Sequence, residues 1–175
     1  TGYYYNVKKV FDISQTDAKR QRQPQVHYDD RLLLSALIAK RPVPIEMADS
    51  VQNGAVYDYE RKTIFVQRGM DGQDLFRSVS LALARAEMAQ QENSTPQADA
   101  FKSYCVSYML CRKYGVDTQG YDFSRLPDEL KNAEPQTIRG ELTDIRDTLQ
   151  TMTGKMARTL EQSRTAAQKE TGKER

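Results

Sequence analysis

Histidine, the residue that most often binds a catalytic zinc ion, is scarce in this chain. The chain contains one histidine, His27, in a polar segment beside Tyr28 and Asp29. A zinc peptidase needs two neutral imidazoles at positions i and i+4 of one helix, with a glutamate beside the first as general base. Two predicted helices, 73–90 and 98–114, suit such a site, but the first contains no histidine. We therefore exclude a histidine-based zinc centre and interpret His27 as a surface residue.

Other nucleophiles and acids offer no better site. Cys105 and Cys111 lie six residues apart in the second predicted helix, which points them to different faces and argues against a mutual disulfide. Both cysteines lie in an apolar helix, where burial among apolar side chains raises the pKa of a thiol and makes it unreactive. Asp71 and Asp74 stand where a helix begins, a position that favours acids through the helix dipole. We predict no catalytic residue, no metal and no cofactor, and hence a protein that is not an enzyme.

Composition favours one domain with one core. The chain has 175 residues, of which 38% are hydrophobic, and a formal net charge of +2. That charge does not indicate a strong field for nucleic acid over the whole surface. No apolar run approaches the ~20 residues of a membrane span, and no signal-peptide pattern is present. We expect a cytoplasmic protein, and, because the chain starts without Met, a segment of a longer polypeptide.

Hydrophobic periodicity predicts an α+β fold with a small sheet of about three strands. Period-two patterns predict strands at 3–13, 55–59 and 63–67, the last two forming a hairpin around residues 60–62. For residues 44–47 the sequence predicts only a short extended piece. Helices are predicted at 28–40, 73–90 and 98–114, with Gly115 as a C-cap.

The last fifty residues predict one long amphipathic helix. Its apolar positions recur at steps of three and four: Ile138, Leu142, Ile145, Leu149, Met152 and Met156. We divide the chain into a body at 1–134, this helix at 135–160 and a polar, flexible tail at 161–175. We expect the body to cover the first half of the helix. A second copy of the chain is the alternative cover, which would make a weak dimer rather than a monomer.

Four segments, in order, resemble the metallopeptidase domain of the ArdC-type antirestriction and ImmA/IrrE-type zincins of phages and conjugative elements. KKVFDISQTD at 8–17 resembles the opening "VFDVSQT", and NGAVYDYERKTIFVQRG at 53–69 resembles the hairpin before the active helix. SVSLALARAEM at 78–88 falls where the family has its "HELAHA" helix. VSYMLCRKYGVDT at 106–118 resembles the ending "VAYLLAxxxGLDT". The resemblance implies a zincin-like fold.

The metal residues of that family have no counterparts here. Setting LALARA against HELAHA places the first histidine on Leu81, the glutamate on Ala82 and the second histidine on Arg85. The third ligand falls on Lys102. The resemblance thus implies vestigial positions at Leu81, Ala82, Arg85 and Lys102. We expect Leu81 and Leu83 to fill the former metal cleft as part of the core.

Cationic residues suggest two further contacts. If the zincin-like fold holds, Arg85 and Lys102 lie near each other in the old cleft, where they could attract a phosphate or a carboxylate. The alternative is that Arg85 pairs with Glu87, Glu92 or another acid, while Lys102 reaches solvent. The basic loop with Lys19, Arg20 and Arg22 could contact nucleic acid, or could simply be solvated.

These patterns lead to two functional hypotheses. The first is a non-catalytic, zincin-like binding or scaffold domain in a larger protein of a bacterial mobile element, whose partner is another protein or the rest of its own polypeptide. The second is a nucleic-acid-binding accessory protein in antirestriction or conjugation. A salt-dependent interaction with DNA would distinguish the second from the first.

Overall fold

Five α-helices and three β-strands form a mixed α+β fold in the described part of the chain, as the sequence predicts. A computed structural model describes residues 28–91 and 94–171, with side chains through residue 163. The helices are α1 Asp30–Ile38, α2 Gly72–Met88, α3 Pro96–Tyr114, α4 Asp128–Lys131 and α5 Pro135–Thr171. The strands are β1 Ile45–Ala48, β2 Ala55–Asp58 and β3 Thr63–Gln67.

The sheet has the order β1-β3-β2, so β3 is its central strand. β2 and β3 form the predicted antiparallel hairpin, and β1 pairs with β3 in parallel. The hairpin turn is set by Asp58, whose Oδ1 accepts hydrogen bonds from the backbone N–H groups of Glu60 and Arg61, each at 2.9 Å. Buried and half-buried residues alternate along β2, as a half-covered sheet requires.

Within the described residues, the third strand of the sheet comes from a segment for which no strand was predicted. The structure uses Ile45–Ala48 as β1, where the sequence indicated only a short extended piece. The predicted strand at 3–13, the basic loop with Lys19, Arg20 and Arg22, and His27 all lie outside the described residues. A strand of four residues has too few alternating positions for its period of two to be recognised in the sequence. It is stabilised by pairing with β3, a segment that lies further along the chain.

Helix α2 is central to the fold, contacting the sheet, α1, α3 and α5. Its N-cap Asp71 accepts hydrogen bonds from the backbone N–H groups of Gln73 and Asp74, which fixes the predicted start of the helix. Small residues at Ser80, Ala82, Ala84 and Ala86 are all buried and allow close approach of the neighbouring elements.

Helix α3 is capped at both ends, and its C-cap is the predicted glycine. Thr95 Oγ1 accepts from the N–H of Ala98 at 3.1 Å, and Pro96 occupies the first helical position. Gly115 ends the helix in the left-handed conformation, with φ of 75°. These caps fix the ends of the helix that faces α2 along its length.

The body covers the amphipathic stripe of α5 from Ile145 onward, so the prediction that it covers the first half holds for Ile145 but not for the two stripe residues before it. Ile145, Met152, Met156 and Leu160 belong to the same core as α2. Ile138 and Leu142 remain 39% and 59% exposed.

The helix also continues past Leu160, through the predicted tail, to Thr171. Leu160 itself is buried, so α5 is still packed on the body where the tail was expected to begin. Residues 161–171 include alanine, glutamine, lysine and glutamate, which have high helix propensity and allow the backbone to continue as a helix. Among the described residues, no helix is long and apolar enough to cross a membrane.

Candidate functional site

The four positions implied by the zincin resemblance do not share one space. Leu81 and Arg85, one helical turn apart, line the same side of α2, as their i and i+4 spacing requires. Ala82 is 1% exposed and packs in the core. Lys102 lies on α3 and turns toward α5. The structure therefore brings together two of the four residues.

Leu81 and Arg85 line an open cleft of about 810 Å³. Its lining comes from the exposed side of α2, from Tyr104 of α3 and from the connection that follows α3, with one residue before β2. The complete lining comprises Asn53, Arg77, Ser78, Leu81, Arg85, Tyr104, Asp117, Gln119, Gly120 and Tyr121. Leu83 is fully buried, as expected, whereas Leu81 is only half-buried and forms a wall of the cleft rather than filling it.

Arg85 is the cation that this cleft leaves without an acidic partner. Its Nε donates to Ser103 Oγ at 3.4 Å, and it forms no ion pair within the described residues. The predicted pair with Glu87 is not formed, because Glu87 accepts instead from Lys155 of α5. Glu92, the other predicted partner, lies outside the described residues.

Lys102 takes neither of its two predicted positions. It is 7% exposed, so it does not reach solvent, and its Nζ lies 2.9 Å from Asp144 Oδ2 of α5. Glu141 and Asp99 add carboxylate oxygens at 3.8 Å and 4.0 Å. These three acids neutralise the ammonium group, so Lys102 does not add a cation to the cleft.

Asp99 is a buried carboxylate that sequence reasoning missed. Its Oδ2 accepts from Tyr59 Oη at 3.2 Å and from Ser94 Oγ. Burial raises the pKa of the Tyr59 phenol far above its usual value, the charge of Asp99 raises it further, and the charge of Arg85 opposes the shift. The sequence signal was the spacing of Asp99 and Lys102, three residues apart on one helical face.

Arg77 secures the far end of the cleft. Its Nη1 donates to the backbone oxygen of Asp117 at 3.1 Å and to Asp117 Oδ2 at 3.2 Å, and its Nη2 contacts Asp74. The side-chain oxygen of Gln73 accepts from the N–H of Asp117 at 3.3 Å. These bonds tie the connection after α3 to α2, and they leave Arg77 paired with two acids.

Five aromatic rings form a group beside the cleft, which we call the aromatic shelf. Neighbouring ring centroids lie 5.0 to 6.5 Å apart in tilted and edge-on arrangements. Its members are Phe101, Tyr104, Tyr108, Tyr121 and Phe123. Phe123 is 42% exposed, so the shelf presents an apolar surface to solvent. The spacing of 101, 104 and 108 on one face of α3 was a signal that sequence reasoning did not use.

Hydrogen bonds hold the inner edge of this shelf. Tyr121 Oη lies 2.6 Å from Ser107 Oγ, which in turn lies 2.6 Å from Ser80 Oγ on α2. Burial raises the pKa of the Tyr121 phenol. Cys111 Sγ is 3.5 Å from the same phenol oxygen. Neither Cys111 nor Cys105 forms a disulfide, and burial raises the pKa of both thiols.

The arrangement can bind but has few groups for chemistry. A guanidinium has five N–H donors and no acceptor, so Arg85 can bind an anion, and a leucine side chain cannot bind a metal. Residues 28–91 and 94–171 contain no group of three His, Cys, Asp or Glu side chains that could hold a metal ion. The cleft does offer one cation, an apolar wall and aromatic rings to a ligand.

No protein-family model matches this chain, and neither a curated protein nor a solved structure matches it.

Proposed function

We propose that this chain is a non-catalytic, zincin-like binding domain of a larger mobile-element protein, and that the cleft beside α2 is its recognition site. The zincin-like assignment rests on the order of the four resembling segments in the sequence. The recognition site rests on the cleft and on the residues that line it.

The observation that carries the proposal is the pair Leu81 and Arg85. Both implied ligand positions that face the cleft are occupied by side chains that bind other groups but do not hold a metal cation. Leu81 offers apolar surface and Arg85 offers a charge-assisted hydrogen bond. The volume of about 810 Å³ lies within the range of ligand sites in proteins.

A partner screen with matched baits tests this proposal. The screen compares the amount of each partner protein that is bound by three baits. These are the wild-type chain, the cleft variant Leu81→Glu/Arg85→Glu and the control variant Arg158→Glu, which changes an exposed position of α5. We expect a protein that binds the wild type and the control equally but is lost from the cleft variant. Circular dichroism and thermal unfolding establish that all three baits are folded.

Two results would contradict the proposal. One is cleavage of a peptide library, or about one zinc per chain retained through dialysis against chelator. The other is a partner that binds the cleft variant as well as the wild type. Salt-dependent binding of single-stranded DNA that requires the same cleft would favour the nucleic-acid hypothesis, since the exposed ring of Phe123 in the aromatic shelf could stack on a base.

A further inference from the structure

We propose that the cleft binds the carboxylate of an acidic side chain, carried on an apolar segment of a partner polypeptide, with Arg85 as its cation. This inference rests on the proposed function, because it names the chemistry of the partner for the same cleft. It follows from the hydrogen bonds of Arg85, the charges around it and the apolar surfaces beside it.

The first step concerns the unused donors of Arg85. An arginine has five N–H donors, and only the Nε donor has an acceptor, Ser103, among the described residues. Ser103 Oγ donates its own proton to the backbone oxygen of Ala100 at 3.0 Å, which leaves it free to accept from Arg85. The Nη1 and Nη2 edge remains available, and this edge matches the two oxygens of one carboxylate.

The second step concerns the net charge of the cleft. Arg77, the other cation in the lining, is already paired with Asp74 and Asp117. Arg85 is therefore the single uncompensated cation, and the Asp117 carboxylate lies in the same lining. A monoanionic carboxylate fits this balance. A phosphate dianion or a polynucleotide backbone carries more negative charge than a single uncompensated cation can neutralise, which is a poor electrostatic match.

The third step concerns what carries the carboxylate. Leu81 lies one turn from Arg85 on the same side of α2, and Tyr104 of α3 lines the same cleft. Beyond Tyr104, the aromatic shelf continues to the exposed Phe123. Apolar residues flanking the acid would cover these surfaces. A chain terminus is disfavoured, because such termini are captured by clusters of backbone N–H groups, whereas Arg85 projects from the side of a helix.

The test uses short peptides of defined charge as probes. N-acetyl-Phe-Glu-Leu amide carries one internal carboxylate, and N-acetyl-Phe-Gln-Leu amide is its uncharged isostere. N-acetyl-Phe-Gln-Leu with a free C-terminus moves the charge to the end, and inorganic phosphate supplies an anion without an apolar body. Each probe is titrated into the full chain, followed by NMR at the Arg85 Nε–H and the Leu81 methyl groups.

We expect the Glu peptide to bind about tenfold more tightly than the Gln peptide, since it adds a charge-assisted pair. Arg85→Gln should abolish this difference and Arg85→Lys should retain part of it, because lysine keeps the charge but loses the planar fork. Arg158→Gln should bind as the wild type does. Thermal unfolding should change little in Arg85→Gln, which loses one long hydrogen bond to a neutral group.

The inference is overturned if the Glu peptide fails to shift the Arg85 and Leu81 signals, or if the Glu and Gln peptides bind equally. It is also overturned if the free C-terminus or phosphate binds more tightly than the internal carboxylate. These outcomes leave the proposed function standing if the partner screen still depends on the cleft. Conversely, a cleft-independent partner would overturn the proposed function whatever the peptides do.

Discussion

Lys102 of α3 and Asp144 of α5 form an ion pair, with Nζ 2.9 Å from Oδ2; the lysine is almost inaccessible to solvent, whereas the aspartate side chain is 35% exposed. The pair joins two helices that are distant in sequence. It also explains why a residue that the sequence placed in the cleft is turned away from it. The nearby Asp99, itself buried, depends on the same cation.

We expect Lys102→Met to lower the free energy of unfolding by about 3–5 kcal/mol, because it leaves buried carboxylate charge without its cation. Urea denaturation measures the change. The matched control is Lys131→Met, whose partner Asp128 is on the surface, and which should have an effect close to zero. If the two substitutions changed the free energy of unfolding equally, the Lys102 ion pair would contribute no more to stability than the surface pair of Lys131.

The turn before β2 requires glycine at position 54. Gly54 has φ of +77°, and an added Cβ would lie 2.9 Å from Ser78 Oγ and would also contact the Met70 side chain. We expect Gly54→Ala to cost about 2–4 kcal/mol, through backbone strain and overpacking together. Gly115→Ala is the control, since φ is +75° there but nothing lies within 4 Å. It should cost about 1–2 kcal/mol, from the backbone term alone. If both variants lost a similar amount of unfolding free energy, the neighbours of Gly54 would have room for the added methyl group.

The two halves of the α5 stripe should differ in their contribution to stability. Met156 is fully buried, and Met156→Ala should cost about 2–5 kcal/mol by leaving a cavity. Leu142 is mostly exposed, and Leu142→Ala should change the free energy of unfolding by less than about 0.5 kcal/mol. Chemical denaturation of both variants decides the point. A large loss from Leu142→Ala would mean that something covers the first half of the helix in solution.

A second copy of the chain is one such cover, and light scattering detects it directly. The exposed pair Ile138 and Leu142 would form the contact, in which case the measured mass would rise with concentration and Leu142→Glu would abolish the rise. A mass that stays that of a monomer at every concentration would remove the weak dimer from consideration.

Alkaline pH should destabilise the fold through its buried tyrosines. Burial raises the pKa of Tyr59 and Tyr121 in the folded state above the usual value of 10.0. A group with a raised pKa contributes its full stability below the unfolded pKa and loses it as the pH rises through the folded pKa. The free energy of unfolding should therefore begin to fall near pH 10, where the tyrosines of the unfolded chain ionise, and should keep falling as the pH rises toward the higher folded pKa values. The decline should be shallower in Tyr121→Phe, whereas an unchanged slope would show that this phenol does not contribute.

The sequence by itself determined the local elements of this protein. The limits of α2 and α3 and the hairpin of β2 and β3 could be predicted from period, caps and turn residues, because those signals act over a few neighbouring residues. Only the tertiary structure decided which partners the side chains have. It recruits β1 to the sheet, covers α5 from Ile145 onward, turns Lys102 toward Asp144 and leaves Arg85 with only Ser103 among the described residues. These outcomes depend on how the helices are placed relative to one another, and residue spacing within one element carries no information about that placement.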